Sequence, residues 1–261
     1  LCLHGYTGTP FEVRVVADHL AEHLGLAVST PLLPGHGDDP AVLNTAAADA
    51  DAWCRAAEDA FDALDALDPP AAVNDVNPSV VGPRPRFIVG SSMGGLLALH
   101  LCLHRRVTAT TLLAPALRFF DAATVGIVFL GAGLWRARPF VPKEGPGGDV
   151  GASDAQRLNP TYKTMPTRGM VELMRLQWRI ERQLSAVTTP LCVMHGDKDH
   201  TIPPASSRII AARVSSPEVE HHRLRHTQHL VGLDVERDLV CRLSEAFFGR
   251  VLGQDTTTGH A

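Results

Sequence analysis

This chain has no surplus of charge of either sign. Its 24 Lys and Arg face 28 Asp and Glu, a net charge of −4 with an isoelectric point near 6.4. Neither nucleic acid nor an anionic membrane surface is therefore an expected partner. No apolar run approaches the ~20 residues of a membrane span. The nearest, Val125 to Trp135, is too short and is broken by Gly126, Gly131 and Gly133, so no stable membrane insertion is expected. Cysteine is sparse. Cys2, Cys54, Cys102, Cys192 and Cys241 are odd in number, far apart and never C-x-x-C. That pattern excludes a disulfide scaffold and reads as buried free thiols in a reducing, cytoplasmic setting. No internal repeat is present. An initiator Met is missing too. The chain opens Leu1-Cys2-Leu3-His4-Gly5, which reads as the end of a buried strand, so an incomplete N-terminus is expected and the lack of a signal peptide excludes nothing.

What is there is an ordinary globular composition, 45% hydrophobic and 20% charged over 261 residues, enough for one domain or one domain with an insertion. Apolar strand-like runs recur at Leu1–Leu3, Leu26–Ser29, Phe87–Val89, Ala109–Leu113, Leu191–Met194 and Glu218–Leu224. Helical patterns separate most of them, at Glu12–Leu24, Asp49–Leu67, Leu96–His104, Ser206–Arg213 and Val235–Phe248. Such alternation predicts an α/β fold, a mostly parallel sheet with helices on both faces. Two segments break the rhythm. Asp68–Pro85 is Pro-rich and reads as an irregular loop. Residues 118–187 are inserted between two strands and carry a helical pattern at Arg168–Leu184, on which Met170, Leu173, Met174 and Ile180 share one face with Trp178 on its flank. The expected division is a core of residues 1–117 and 188–261 with a lid of residues 118–187 lining an apolar pocket.

The most telling stretch is Gly90-Ser91-Ser92-Met93-Gly94. A β-rich run, Arg86-Phe87-Ile88-Val89, precedes it, and helix formers from Gly95 to Leu103 follow. Strand, sharp turn and helix with serine at the apex match the G-x-S-x-G nucleophile elbow. Only Ser92 has a glycine two residues away on both sides, so Ser92 is the candidate nucleophile. The glycines leave room where strand and helix nearly touch.

A serine hydroxyl needs a base to take its proton, and that base needs a partner fixing its tautomer. Downstream, Leu191–Met194 runs into His195-Gly196-Asp197-Lys198-Asp199-His200-Thr201-Ile202-Pro203, which offers two acids, Asp197 and Asp199. After Glu218–Leu224 come two bases, His226 and His229. The order Ser, Asp, His suits this fold class. His195, Asp197, Asp199 and His200 also look like metal ligands, but without a helical i, i+4 pair or a cysteine partner they are read as part of the serine site, and no metal or organic cofactor is expected. The setting of His36 between Gly35 and Gly37 reads as a structural turn, and His221 and His222 belong to a strand pattern.

Leu3-His4-Gly5-Tyr6-Thr7-Gly8, Pro34-Gly35-His36-Gly37, the serine elbow, His195 through Pro203, and Gln228-His229-Leu230 with Leu233-Asp234 together resemble α/β-hydrolases of the bacterial carboxylesterase and monoacylglycerol lipase type. The resemblance implies that Asp199, four residues before Pro203, is the acid, with Asp197 a loop carboxylate. It implies His229 as the base and the Tyr6 backbone N–H as one oxyanion donor, with His4 bracing that loop. The second donor is the N–H of Met93, the residue after the nucleophile at a helix N-terminus. Gln228 departs from the Gly usual before the last histidine. In the family an N-terminal segment forms edge strands beside the strand that here is Leu26–Ser29, and the resemblance implies that this segment is expected to be absent from the chain as it begins at Leu1. The implied activity is cleavage of carboxylic esters, short- to medium-chain acyl esters or monoacylglycerols, through an acyl-enzyme, with a small-molecule ester as partner. A thioesterase, a lysophospholipase or a cofactor-free perhydrolase would use the same three residues. A non-catalytic binding protein on this fold would be marked by loss of one of them.

Overall fold

The computed structural model describes residues 1–37, 39–67, 84–119, 138–143 and 147–253. The run Val125–Trp135 and nearly all of Asp68–Pro85 lie outside the described residues. In chain order the strands are β1 (Cys2–Leu3), β2 (Phe87–Ser91), β3 (Ala109–Leu113), β4 (Phe140–Pro142), β5 (Thr164–Pro166), β6 (Leu191–Gly196) and β7 (Val219–Leu224). The helices are α1 (Phe11–Leu24), α2 (Ala50–Asp62), α3 (Leu64–Leu67), α4 (Met93–His104), α5 (Ser153–Leu158), α6 (Thr167–Glu181), α7 (Ala205–Arg213) and α8 (Arg237–Val251).

Five strands form one sheet in the order β1-β2-β3-β6-β7, every pair parallel. Side chains alternate between its faces with the period of two that a strand imposes. Phe87, Val89, Cys192 and Met194 point to the face covered by α1 and α8. Ile88, Leu112, Leu191 and Val193 point to the other, where Trp53 and Phe61 of α2, Leu96 and Leu97 of α4 and Ile210 of α7 complete the core. The helix α4 is buried from Met93 to Leu101, which explains why it is apolar all round rather than striped. All five cysteines are free thiols, four of them buried.

Between β3 and β6 the chain forms an antiparallel pair, β4 with β5, and then α6. On α6 the expected face is buried: Met170, Leu173, Met174 and Ile180, joined by Leu176. Trp178 is exposed, with the Arg182 guanidinium over its ring at 4.7 Å.

Two expectations need correction. Leu26–Ser29 is not a strand. It is held beside β1 by a single backbone bond, from Cys2 N–H to Ser29 O at 2.8 Å, and it is too lightly tied to form a ladder. The helix expected over Asp49–Leu67 is broken at Ala63 into α2 and the short α3. Asp49 caps α2 by accepting the Ala52 N–H at 2.7 Å, which stabilises such an end by about 1 kcal/mol. No described helix is long and apolar enough to cross a membrane.

Candidate active site

Because all five strands run the same way, the loops leaving their carboxyl ends share one edge, where open α/β sheets gather their ligands. Ser92 follows β2, Asp199 follows β6 and His229 follows β7, while Gly5 and Tyr6 follow β1. At the elbow Ser92 has φ 53° and ψ −113°, a region that costs a non-glycine residue about 1–3 kcal/mol. The turn is tight enough that a Cβ on Gly90 would run into the carbonyl of Gly94, and one on Gly94 into that of Leu3. The strain places the Ser92 hydroxyl above the sheet.

There it meets His229, Oγ to Nε2 at 2.9 Å. The other ring nitrogen, Nδ1, lies 2.8 Å from Asp199 Oδ2. A carboxylate can only accept, so Nδ1 carries the proton and Nε2 is free to accept from serine. Asp199 is itself held: its Oδ1 accepts the N–H groups of Thr201 and Ile202 at 2.8 and 2.7 Å. Gly196 lets the histidine loop come close, since a Cβ there would strike the carbonyls of Thr227 and Gln228.

The rival residues lie elsewhere. Asp197 accepts from Arg223 Nε at 2.8 Å. His226 is exposed, and its backbone N–H donates to Glu236. His221 and His222 are half-buried on the edge strand β7. Tyr6 follows Gly5, on which a Cβ would sit 3.1 Å from Ser92 Cβ, and Met93 follows Ser92 and opens α4. Among the described residues, no acceptor engages the backbone N–H of Tyr6 or Met93. His4 braces the loop from both nitrogens, donating from Nδ1 to Gly5 O at 2.9 Å and accepting the Leu33 N–H at Nε2, 3.1 Å.

Burial tends to lower the His229 pKa, but the Asp199 charge and hydrogen bond outweigh it, and the net shift is upward from 6.5. Asp199, also desolvated, is held below the ordinary carboxylate range by the charge of His229 and by hydrogen bonds from His195 and His229. If neutral His229 is the working base, kcat/KM for an ester should climb with pH and level off above an inflection higher than 6.5. An inflection below that value in the wild type would contradict this environment.

Burial outweighs the hydrogen bonds to backbone carbonyls at two structural histidines, lowering His4, which His36 also disfavours in its charged form, to about 3 and His36 to about 4. Between those values and 6.5 the unfolded chain binds protons that the folded chain refuses. Stability is therefore full above pH ~6.5 and declines by about 1.4 kcal/mol per pH unit per histidine as pH falls. Denaturant melts between about pH 7 and pH 5 should show this loss, with a shallower slope in His4→Gln. Equal slopes in the two proteins would rule out His4 as a source.

Sequence reasoning named His195 and Asp234 without their partners and missed Glu12 and Lys143 altogether. His195 is fully buried, its Nε2 3.0 Å from Asp199 Oδ2, so two imidazoles flank one carboxylate. Buried Asp234 accepts the N–H groups of Gly151, Ala152 and Gln228, tying the His229 loop to the inserted segment. Glu12, also buried, accepts the Gly5 N–H at 2.9 Å and lines the serine pocket with Thr7, Lys143 and Asp149. Much of the remaining lining is apolar: Ala116, Phe119, Met165, Leu173, Ile202 and Leu230. Lys143 Nζ donates to Thr7 Oγ1 at 3.1 Å and Thr161 Oγ1 at 2.6 Å. No spacing rule connects these positions, so only the fold could bring them together.

A parallel sheet with a serine elbow at its carboxyl edge is the α/β-hydrolase fold, and solved structures agree. The structure of a lipolytic enzyme from a study of the metagenome-derived LipS and LipT superposes with a TM-score of 0.81 at 25% identity, covering 95% of this chain and 92% of that one. The monoacylglycerol lipase of Paleococcus ferrophilus superposes with a TM-score of 0.75 at 16% identity, covering 96% and 93%. The chain belongs to the hydrolase family described as serine aminopeptidase S33, whose pattern it matches over residues 1–236. It is 27% identical over 256 residues to the thermostable monoacylglycerol lipase of Bacillus sp. strain H-257, covering 97% of this chain and 91% of that protein. A carboxylesterase of Bacillus subtilis is 24% identical over 241 residues, covering 92% and 87%. It is thus a lipase-like serine hydrolase of the esterase type.

Proposed function

We propose that the protein hydrolyses carboxylic esters that join a short- to medium-length acyl chain to a small polar alcohol, monoacylglycerols among them. The observation that carries this reading is one pocket with two characters. Ser92 and His229, the latter held by Asp199, open on a pocket lined both by apolar side chains and by Thr7, Glu12, Lys143 and Asp149. The acyl chain takes the apolar lining, to which Met165 and Leu173 contribute from the part of the inserted segment that would act as a lid. The alcohol hydroxyls take the polar side.

In this mechanism Ser92 Oγ attacks the ester carbonyl while its proton passes to His229 Nε2. The oxyanion is received by the N–H groups of Tyr6 and Met93. Asp199 holds the imidazole and stabilises its charged form. The proton then goes from His229 to the departing alcohol, and water, activated by the same nitrogen, cleaves the acyl-enzyme. Each step needs only side chains and backbone of this chain.

A panel of p-nitrophenyl esters from acetate to decanoate, run beside 1-monoacylglycerols and an acyl thioester, tests the reading. The expected result is a maximum of kcat/KM at short to medium acyl length and turnover of monoacylglycerol. No turnover of any oxygen ester, or a higher kcat/KM on the thioester, would overturn it.

A further inference from the structure

We propose that His19, His23 and Glu245 form a binding site for a divalent transition-metal ion of zinc's preferences. The site joins α1 to α8 and is separate from the serine pocket. In the run His19-Leu20-Ala21-Glu22-His23 the two histidines are four apart on one helix, the spacing that puts both imidazoles on the same face. Leu20 turns inward and is buried, which leaves the histidine face outward. The rings stack, centroids 3.9 Å apart and planes 19° from parallel.

A hydrogen bond orients one of the two imidazoles for an ion. His23 Nδ1 lies 3.0 Å from the carbonyl oxygen of His19. A carbonyl only accepts, so Nδ1 holds the proton and the lone pair is on Nε2, facing away from the helix backbone. Metal-bound histidines are oriented in this way by a hydrogen bond at the other ring nitrogen. Glu245 reaches across from α8 and accepts from His19 Nε2 at 2.7 Å, and a bound ion would take the place of that shared proton. One ligand atom from each of the three residues lies within 4.8 Å of the others. Two imidazole nitrogens and a carboxylate oxygen are a set that zinc takes at about 2.0–2.2 Å, which spaces tetrahedral ligands by about 3.3 Å. Small rotations that draw His23 inward and part Glu245 from His19 would give that spacing.

The surroundings favour a dication. Glu22 and Asp238 line the same depression with Arg242, and Asp18, paired with Arg14, adds a third carboxylate. Among the described residues, the other cluster of this kind, Cys192 with Glu220 and His222, lacks these advantages. Burial raises the Cys192 thiol pKa far above normal, and Arg250 already pairs with Glu220. Open water would complete coordination at the α1–α8 site, and the ion would clip together the two helices that cover one face of the sheet. None of its ligands lines the Ser92 pocket.

Calorimetric titration of ZnCl₂ into the chelator-treated full chain should show a single equivalent that is lost in His23→Gln. Saturating zinc should raise the Tm of the wild type by about 2–5 °C. The shift should disappear in His23→Gln and, independently, in Glu245→Gln. Ester hydrolysis by both variants in chelator should match the wild type, showing that each is folded. Absence of zinc binding at millimolar concentration would overturn the proposal. So would a Tm shift that survives in both variants.

Discussion

Replacing Ser92 by Ala should lower kcat for ester hydrolysis by about 10⁵–10⁶ and leave the fold intact. The loss is large because the hydroxyl cannot be replaced by a neighbour. Ser91 is the last residue of β2 and is buried at 1% exposure, whereas Ser92 Oγ alone lies at 2.9 Å from His229 Nε2. Folding should survive, since alanine bears the φ of 53° at much the same cost as serine, while Gly90 and Gly94 keep the turn open. A fluorophosphonate should label the wild type once, at Ser92, and leave Ser92→Ala unlabelled. A label retained in the variant, or mapped to Ser91, would remove Ser92 from the mechanism.

For Asp199→Asn the expected loss is about 10⁴ in turnover. The carboxylate of Asp199 faces His229 Nδ1 at 2.8 Å and fixes the tautomer in which Nε2 accepts the serine proton. An amide keeps the shape, but it can offer an N–H where only an acceptor serves, and the imidazole then turns its lone pair the wrong way. The same variant should move the inflection of the pH–rate profile downward, because the charge that raises the His229 pKa is gone. Asp197→Asn should do neither. Its partner is Arg223, whose side chain is 61% exposed, and such surface pairs contribute about 0–1 kcal/mol. Equal losses for the two variants, or the reverse order, would reassign the acid.

The rest of the site was less open to reading from residues alone. Asp197 and Asp199 are two positions apart on one loop, and local pattern left both available. They separate only when β7 and its loop are laid beside β6, so that one carboxylate turns inward to His229 and the other outward to Arg223. Leu26–Ser29 has the composition of a strand, yet a strand needs a ladder, and one bond to Cys2 does not make one. The His19–His23 pair has a legible helical spacing, but its third partner, Glu245, is 226 positions away.

By itself the sequence determined what is local or periodic. Alternating apolar runs specified the strands and their two-faced burial, and glycines two residues either side of Ser92 specified the elbow. Both follow from backbone sterics that act within a few residues. Tertiary structure decided what depends on burial and on groups distant in the chain. It brought Glu12 beneath the Tyr6 loop, and Lys143 from the inserted segment to Thr7. It set two histidines on one aspartate. The physical reason is desolvation: a charged or polar group is held in such a place only where the folded chain supplies its partners, and neither the burial nor the partner is a property of the residues beside it.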